Sequence, residues 1–298
     1  MSKLTDEELI NELRNRFRVN RDSLEELQEL NRELRVVNKK LEESESLKSH
    51  FISNITNEII NPFTSILGLA KHILSVKKED WKTVISMVAL IHSEAFNLDF
   101  QLRNIFVAAK IEAGEIYPEI LNVDIKTLIY NVLEAFKFEA KKKSLDINFE
   151  FNITPSIGTT FYFKTDPEKI RLILSNLLSN AIKFSFEKQT IVIKTWLEYT
   201  TLKICVEDSG TGLTEDNQKK IFDRFKRLDS GINSINRGHG LGLSINKAIL
   251  DLLKGDIEIQ SEIGKGSKFI ISIPEAISDI AGFSTDGNEF LFDEEEIF

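Results

Sequence analysis

Three groups of residues in the second half of the chain have types and spacings suited to holding a nucleotide. In Pro167–Phe184, Asn176, Asn180 and Lys183 recur at four and three on one helical face. An amide oxygen is a hard ligand suited to Mg²⁺, and a lysine three residues on can reach a phosphate. A solvated helix face carries the same pattern, so the stripe alone decides little. The second group is Asp208-Ser209-Gly210-Thr211-Gly212, at the end of an apolar strand pattern. A buried carboxylate there accepts hydrogen bonds only and would select the exocyclic amine of adenine. Gly210 and Gly212 would let the backbone approach a flat base. Read alone, the pentapeptide is better explained as a turn with an N-capping Asp. The third group, Gly238-His239-Gly240-Leu241-Gly242, opens a helix, where successive N–H groups favour a bound phosphate. No strand precedes it, which excludes the dinucleotide fingerprint. The 24 residues between Leu213 and Gly238 have the length and composition of a lid.

A fourth stretch, Phe51–Phe63, has a different character. Ile52, Ile55 and Ile59 form an apolar stripe, with Asn57 on the opposite side, Glu58 beside it and Asn61 one turn on. Pro62 lacks an N–H and removes the bond to the Glu58 carbonyl, loosening the helix there.

Taken in order, NLLSNAIKF, DSGTGL, IFDRFKR and GHGLGLSI resemble the four sequence boxes of one ATP-binding domain. Histidine kinases, gyrase-type ATPases, Hsp90 chaperones and MutL proteins share it. IFDRF and the preceding DPEKIRLIL narrow the resemblance to histidine kinases, and FISNITNEIINPF resembles their phosphoacceptor helix. The likeness covers about residues 51–274. It implies that Asn180 holds Mg²⁺, that Asn176 and Lys183 meet the phosphates, and that Asp208 reads adenine. It also implies that Gly210, Gly212, Gly238, Gly240 and Gly242 shape the pocket and lid. Phe222 and Phe225 are expected to pack the lid, and His239 to be an exposed loop residue.

The departure from the family lies at the acceptor. Asn57 stands where the family has histidine, and Ile60 and Asn61 stand where it has Arg and Thr. A carboxamide nitrogen has its lone pair delocalised into the carbonyl and is not a nucleophile, so autophosphorylation at residue 57 is expected to be absent. The resemblance gives Glu58 the place of the acid that assists proton transfer. It gives Asn61 the place of a residue that orients water during dephosphorylation of a response regulator. Asn61 as a cap for a helix break before Pro62 is an equal alternative. His50 lies seven residues before Asn57 without the following Glu, and His72 and His92 lack matching context.

The elements that must position these groups follow from periodicity. A heptad runs from Ile10 through Phe17 and Leu24 on one seam, and Leu13, Leu27, Leu34 and Leu41 on the other. Asn31 and Asn38 interrupt it and favour a defined register. Such a seam predicts a two-stranded coiled coil, hence a homodimer. After a turn near Lys77–Asp80, Trp81–Ala113 is predicted helical, stopped by Gly114. Two such hairpins make a four-helix bundle. Leu121–Asp124 reads as a linker. Helices are then predicted at Ile125–Lys143, Pro167–Phe184, Glu215–Phe225 and Leu243–Leu253. Strands are predicted at Ser144–Phe151, Thr190–Glu198, Leu202–Glu207, Ile257–Ile263 and Ser267–Pro274. The fold class is α+β: a coiled coil and antiparallel hairpin, then an α/β-sandwich ATP-binding domain. The expected boundaries are 1–48 coil, 49–120 hairpin, 121–275 ATP-binding domain and 276–298 acidic tail.

Bulk properties exclude several classes. The chain has 298 residues and net charge −9, of which seven negative charges fall after Ala276 with no Lys or Arg. Nucleic acid is an improbable partner for such a surface. The single cysteine, Cys205, rules out an intrachain disulfide. No apolar run approaches a membrane span and the N-terminus does not resemble a signal peptide, so a cytoplasmic location is expected. The expected partners are a second copy, a response regulator or a partner histidine kinase. The leading expectation is a Mg·ATP-binding pseudo-histidine kinase acting by docking, conformation or phosphatase action. The alternatives are an active kinase phosphorylating a partner in trans and an ATPase of the gyrase or chaperone type. A deliberate His-to-Asn exchange would also explain Asn57, although Ile60 points to natural divergence. The acidic-aromatic tail is expected to be disordered.

Overall fold

The computed structural model describes residues 6–76, 80–154, 160–222, 241–277 and 283–284. The chain divides into two compact units, Met1–Asn54 and Ile55–Phe298.

Helix α1 (Asp6–Ile73) runs without interruption through both heptad seams and through Pro62. In the first unit, Phe17, Leu24, Leu27, Leu34 and Leu41 are all exposed on the single chain. In the second unit the helix continues three turns past Pro62. Asn61 therefore caps no break, which corrects that expectation: the Thr64 hydroxyl donates to the Ile60 carbonyl at 2.8 Å, and regular helix resumes. The Asn57 and Glu58 side chains lie outside the described residues.

Helix α2 (Trp81–Ala113) starts at Asp80, whose carboxylate accepts from Thr83 N–H, and ends at Gly114 with φ +69°. That left-handed residue, which costs glycine least, closes the helix as predicted. Ile60, Phe63, Leu67, Ile85 and Val88 on α1 and α2 remain exposed in the single chain.

Strand β1 (Leu121–Asp124) occupies the segment read as a linker, pairing antiparallel with β3 (Tyr162–Thr165). Asp124 caps α3 (Ile125–Lys142), accepting from both the N–H and the hydroxyl of Thr127. β2 (Asp146–Asn152) follows, then α4 (Pro167–Phe184), β4 (Thr190–Glu198) and β5 (Thr201–Glu207). The short α5 (Glu215–Lys220) precedes α6 (Gly242–Leu252) and the hairpin β6 (Asp256–Glu262) and β7 (Gly266–Pro274). The five-stranded sheet has order β2-β4-β5-β7-β6, with β2 and β4 parallel and the other neighbours antiparallel. The predicted α+β class with a mixed sheet is what the chain adopts.

The core lies between that sheet and α3, α4 and α6. Ile129 and Val132 of α3, Ile170, Leu174, Leu177 and Ala181 of α4 and Ile249 of α6 are buried with Ile191, Ile193, Ile204 and Ile271 of the sheet. Cys205 is buried on β5, on the sheet face opposite Ile204, and burial raises its thiol pKa.

Phe283–Ser284 form β8, parallel to Asn122 and Val123 of β1, because the open edge of β1 offers backbone groups that need partners. Residues 278–282 and 285–298 lie outside the described residues. Among the described residues, no helix is long and apolar enough to cross a membrane.

Candidate nucleotide site

Helix α4 is held at both ends. At its start the buried Asp166 carboxylate accepts from the backbone N–H of Lys169 and, at 2.6 Å, from the Lys169 ammonium. The same carboxylate accepts from the Glu119 N–H at 2.7 Å, tying the segment after α2 to the ATP-type fold. At its end, Lys143 donates to the carbonyls of Ile182 (3.0 Å) and Lys183 (2.7 Å). Burial lowers the Lys143 pKa, and those two carbonyls supply the acceptors an ammonium needs there. The helix that carries the polar stripe is therefore fixed in position.

The stripe divides in two. Asn176 is buried, and its amide donates to Asn246 Oδ1 at 2.9 Å and more weakly to the Gly242 carbonyl at 3.3 Å. Asn246, itself fully buried, donates to the Ile173 carbonyl at 3.1 Å. Asn176 thus fastens α4 to the first turn of α6. Asn180 and Lys183, one and two turns on, are half-buried, and the Lys183 ammonium lies 5.1 Å from the Phe184 ring centroid. Asn246, Asp166 and Lys143 escaped the sequence reading. Asp166 had a signal in the Asp-Pro-Glu start of a helix; Asn246 and Lys143 had none, since their partners lie far off in sequence.

Asp208 follows β5 and is 7% exposed. Its carboxylate accepts from the Ser267 N–H at 3.3 Å and from the Gly210 backbone. Desolvation outweighs those bonds and raises its pKa from 3.8 to about 6. The carboxylate is therefore a buried acceptor whose charged form burial disfavours.

The glycines beside it have a reason different from the expected one. A Cβ on Gly210 would overlap the Phe184 carbonyl, and one on Gly212 (φ +64°) would overlap that of Glu262. The protein's own backbone, rather than a base, occupies that space. These approaches fasten the Asp208 loop to the end of α4, where Thr211 N–H donates to Phe184 O and Phe186 N–H to Ser209 O. They also fasten it to the β6–β7 turn, where Gly264 N–H donates to Thr211 O. Gly242 begins α6 against Asn176. Gly238, His239, Gly240 and Phe225 lie outside the described residues.

The fold thus fastens the Asp208 loop to the Phe184 end of α4 and Asn176 to the N-terminal turn of α6. An adenine amine would give the Asp208 carboxylate a further donor, and α4 would present an amide and an ammonium to phosphate and metal. No cluster of three His, Cys, Asp or Glu side chains that could hold a metal occurs among the described residues. Mg²⁺ binds through few protein groups and substrate phosphates. The residues fit both groups.

Residues 165–277 match the family described as histidine kinase-, DNA gyrase B- and HSP90-like ATPases. The chain is 33% identical over 267 residues to the sensor protein GacS of Pseudomonas syringae, covering 87% of this chain and 29% of that protein. It is 27% identical to the circadian input-output histidine kinase CikA of Synechococcus elongatus, over 76% of this chain and 30% of that one. The chain thus spans about three tenths of the length of these curated relatives. Among solved structures, full-length ShkA in complex with AMPPNP has TM-score 0.53 at 24% identity, over 79% of this chain and 47% of that chain. That likeness concerns the fold alone. The sequence matches support a histidine kinase family and an ATP-binding domain over residues 165–277.

Proposed function

We propose that the chain is the signalling core of a histidine-kinase-family protein that binds Mg·ATP as a homodimer and lacks an acceptor at residue 57. The observation that carries the proposal is the buried Asp208 carboxylate, on a loop bonded to the Phe184 end of α4, the helix that bears Asn180 and Lys183. In this reading Asp208 accepts from the exocyclic amine of adenine, Asn180 gives its amide oxygen to Mg²⁺, and Lys183 pairs with phosphate. Asn176 acts through Asn246 and Gly242, holding the α6 turn in place. Gly238 and Gly240 contribute to the lid. Bound Mg·ATP supplies an electrophilic γ-phosphoryl group. Positioning and electrostatics lower the barrier to its transfer, but the attacking atom must come from a side chain. Asn57 offers none.

Homodimerisation is supported by the exposed seam of Phe17, Leu24, Leu27, Leu34 and Leu41, and by Ile60, Phe63, Ile85 and Val88. In that setting the protein signals by docking or conformation, or assists dephosphorylation of a response regulator through the exposed Asn61. A cytoplasmic location goes with such partners. One observation favours a second reading: the described ATP-site residues retain the identities the chemistry requires. An active kinase would then phosphorylate a partner in trans, and a partner histidine kinase is the fitting acceptor.

Calorimetry with AMPPNP, with and without Mg²⁺, tests the pocket: magnesium-dependent binding is expected, and its absence would sink the proposal. Incubation with γ-labelled ATP is expected to leave the chain unlabelled, whereas Asn57→His should label on that histidine. Label appearing on an added partner kinase would establish the second reading.

A further inference from the structure

The described residues hold a cavity of about 400 Å³ whose lining includes none of Asn176, Asn180, Lys183 and Asp208. It lies where α2 meets α3, α4 and α6, and its walls include Phe96 and Phe100 of α2, Phe136 of α3, Leu172 of α4 and Ile249 of α6. Phe96 and Phe100 meet Phe136 edge-on, with centroids 5.1 and 5.8 Å apart, so one wall is an aromatic cluster. The volume is that of a small-molecule site and far exceeds the room for one water.

Arg171 of α4 also lines this space. The residue is 6% exposed, and none of its three guanidinium nitrogens has a hydrogen-bond acceptor among the described residues. Its nearest counter-charge is Glu168, at 3.4 Å from Nε, and that carboxylate is itself more than half exposed. A buried guanidinium without acceptors costs several kcal/mol in general terms and is retained where something can pair with it. Other charges on the lining do not fill that need. Arg103 is paired with Asp99 and Lys169 with Asp166, while Glu115 and Glu119 line the cavity without forming an ion pair with Arg171.

We propose that this cavity binds a small aromatic carboxylate, its ring among Phe96, Phe100 and Phe136 and its carboxylate on the Arg171 fork. The planar guanidinium matches a carboxylate in bidentate fashion. An occupant would touch α2 on one side and α4 and α6 on the other, so it would hold the long helix against the ATP-type fold. The site is independent of the nucleotide reading.

The test is calorimetry on the full chain with 2-naphthylacetate, and with 2-naphthaleneethanol as the neutral counterpart. One saturable site per chain is expected for the acid, with the alcohol at least tenfold weaker. Arg171→Met should weaken the acid about tenfold and leave the alcohol unchanged. This variant discards a poorly paired charge and is expected to fold, with Tm equal or higher. Val107→Trp, on the α2 lining, should fill the cavity and weaken both compounds. Equal affinities for acid and alcohol, acid binding indifferent to Arg171→Met, or no saturable binding at millimolar acid would each overturn the proposal. So would stoichiometric displacement of the acid by AMPPNP, since it would put the acid in the nucleotide site.

Discussion

Asn176 and Asn246 meet through one buried hydrogen bond of 2.9 Å, and that bond sets the distance between α4 and the first turn of α6. The pair is a chain rather than a couple, because Asn246 passes its own amide hydrogen to the Ile173 carbonyl. Two helices, α4 and α6, are thereby coupled in the dry interior, where unmade bonds are most costly. Asn246→Ala would leave the Asn176 amide only its weaker bond to the Gly242 carbonyl and would take one donor from the Ile173 carbonyl. A loss of about 2–4 kcal/mol is expected, read from urea unfolding. Nucleotide affinity should fall with it, since the α6 turn is released.

The glycines separate two kinds of cost. Gly212 (φ +64°) and Gly264 (φ +78°) are both left-handed, but only Gly212 has a carbonyl where a Cβ would go. Gly264→Ala should therefore cost about 1 kcal/mol, the backbone penalty alone. Gly212→Ala should cost more than about 2 kcal/mol, because the β6–β7 turn must move away. Thermal unfolding of the two variants side by side measures the difference.

Asp208 makes stability depend on pH in the direction opposite to that of a salt-bridged acid. Its folded pKa of about 6 lies above the ordinary 3.8, so between these values the folded chain holds more protons than the unfolded one. Stability from this group is greatest below about pH 4 and falls as pH rises to about 6, on the order of 3 kcal/mol in all. Asp208→Asn should remove that slope, leaving the variant more stable than the parent at pH 7. An adenine amine favours the charged carboxylate, so AMPPNP affinity should rise from pH 5 to 7 with release of a proton. The same affinity should be pH-independent in Asp208→Asn and weaker throughout.

The exposed leucines of α1 bear on assembly. Paired Leu27→Glu and Leu34→Glu changes place charges on a seam that has no cover within the first unit. Light scattering should show the mass of a dimer for the parent and of a single chain for the variant. The ATP-type domain should unfold at an unchanged temperature, since neither residue contributes to its core.

Elements with a strong local signature were legible from residue types alone. Helix α4 was readable to the residue because Asp166-Pro167 opens it and its apolar positions recur regularly. β1 and β3 were missed because each has four residues and is defined by backbone pairing rather than by alternation. β8 was missed for the same reason in a segment whose acidic composition argued for disorder. At the site, Asp208 was recognisable as a buried acceptor at a strand end, whereas the role of Asn176 was not. Helical periodicity separates a core face from an outer face. Here α6 covers part of that outer face, and nothing in the spacing of α4 reveals a neighbour 70 residues away. The glycines were legible as close approaches, but composition alone does not distinguish a ligand from the chain's own carbonyls.

The Asp166 carboxylate that starts α4 also receives the Glu119 amide, while the Ser93 hydroxyl, farther up α2, donates to Glu139 of α3. One fastening is a side-chain latch and the other grips the backbone just short of β1. Breaking the serine bond alone would leave the peptide at Glu119 still held by the carboxylate that starts α4.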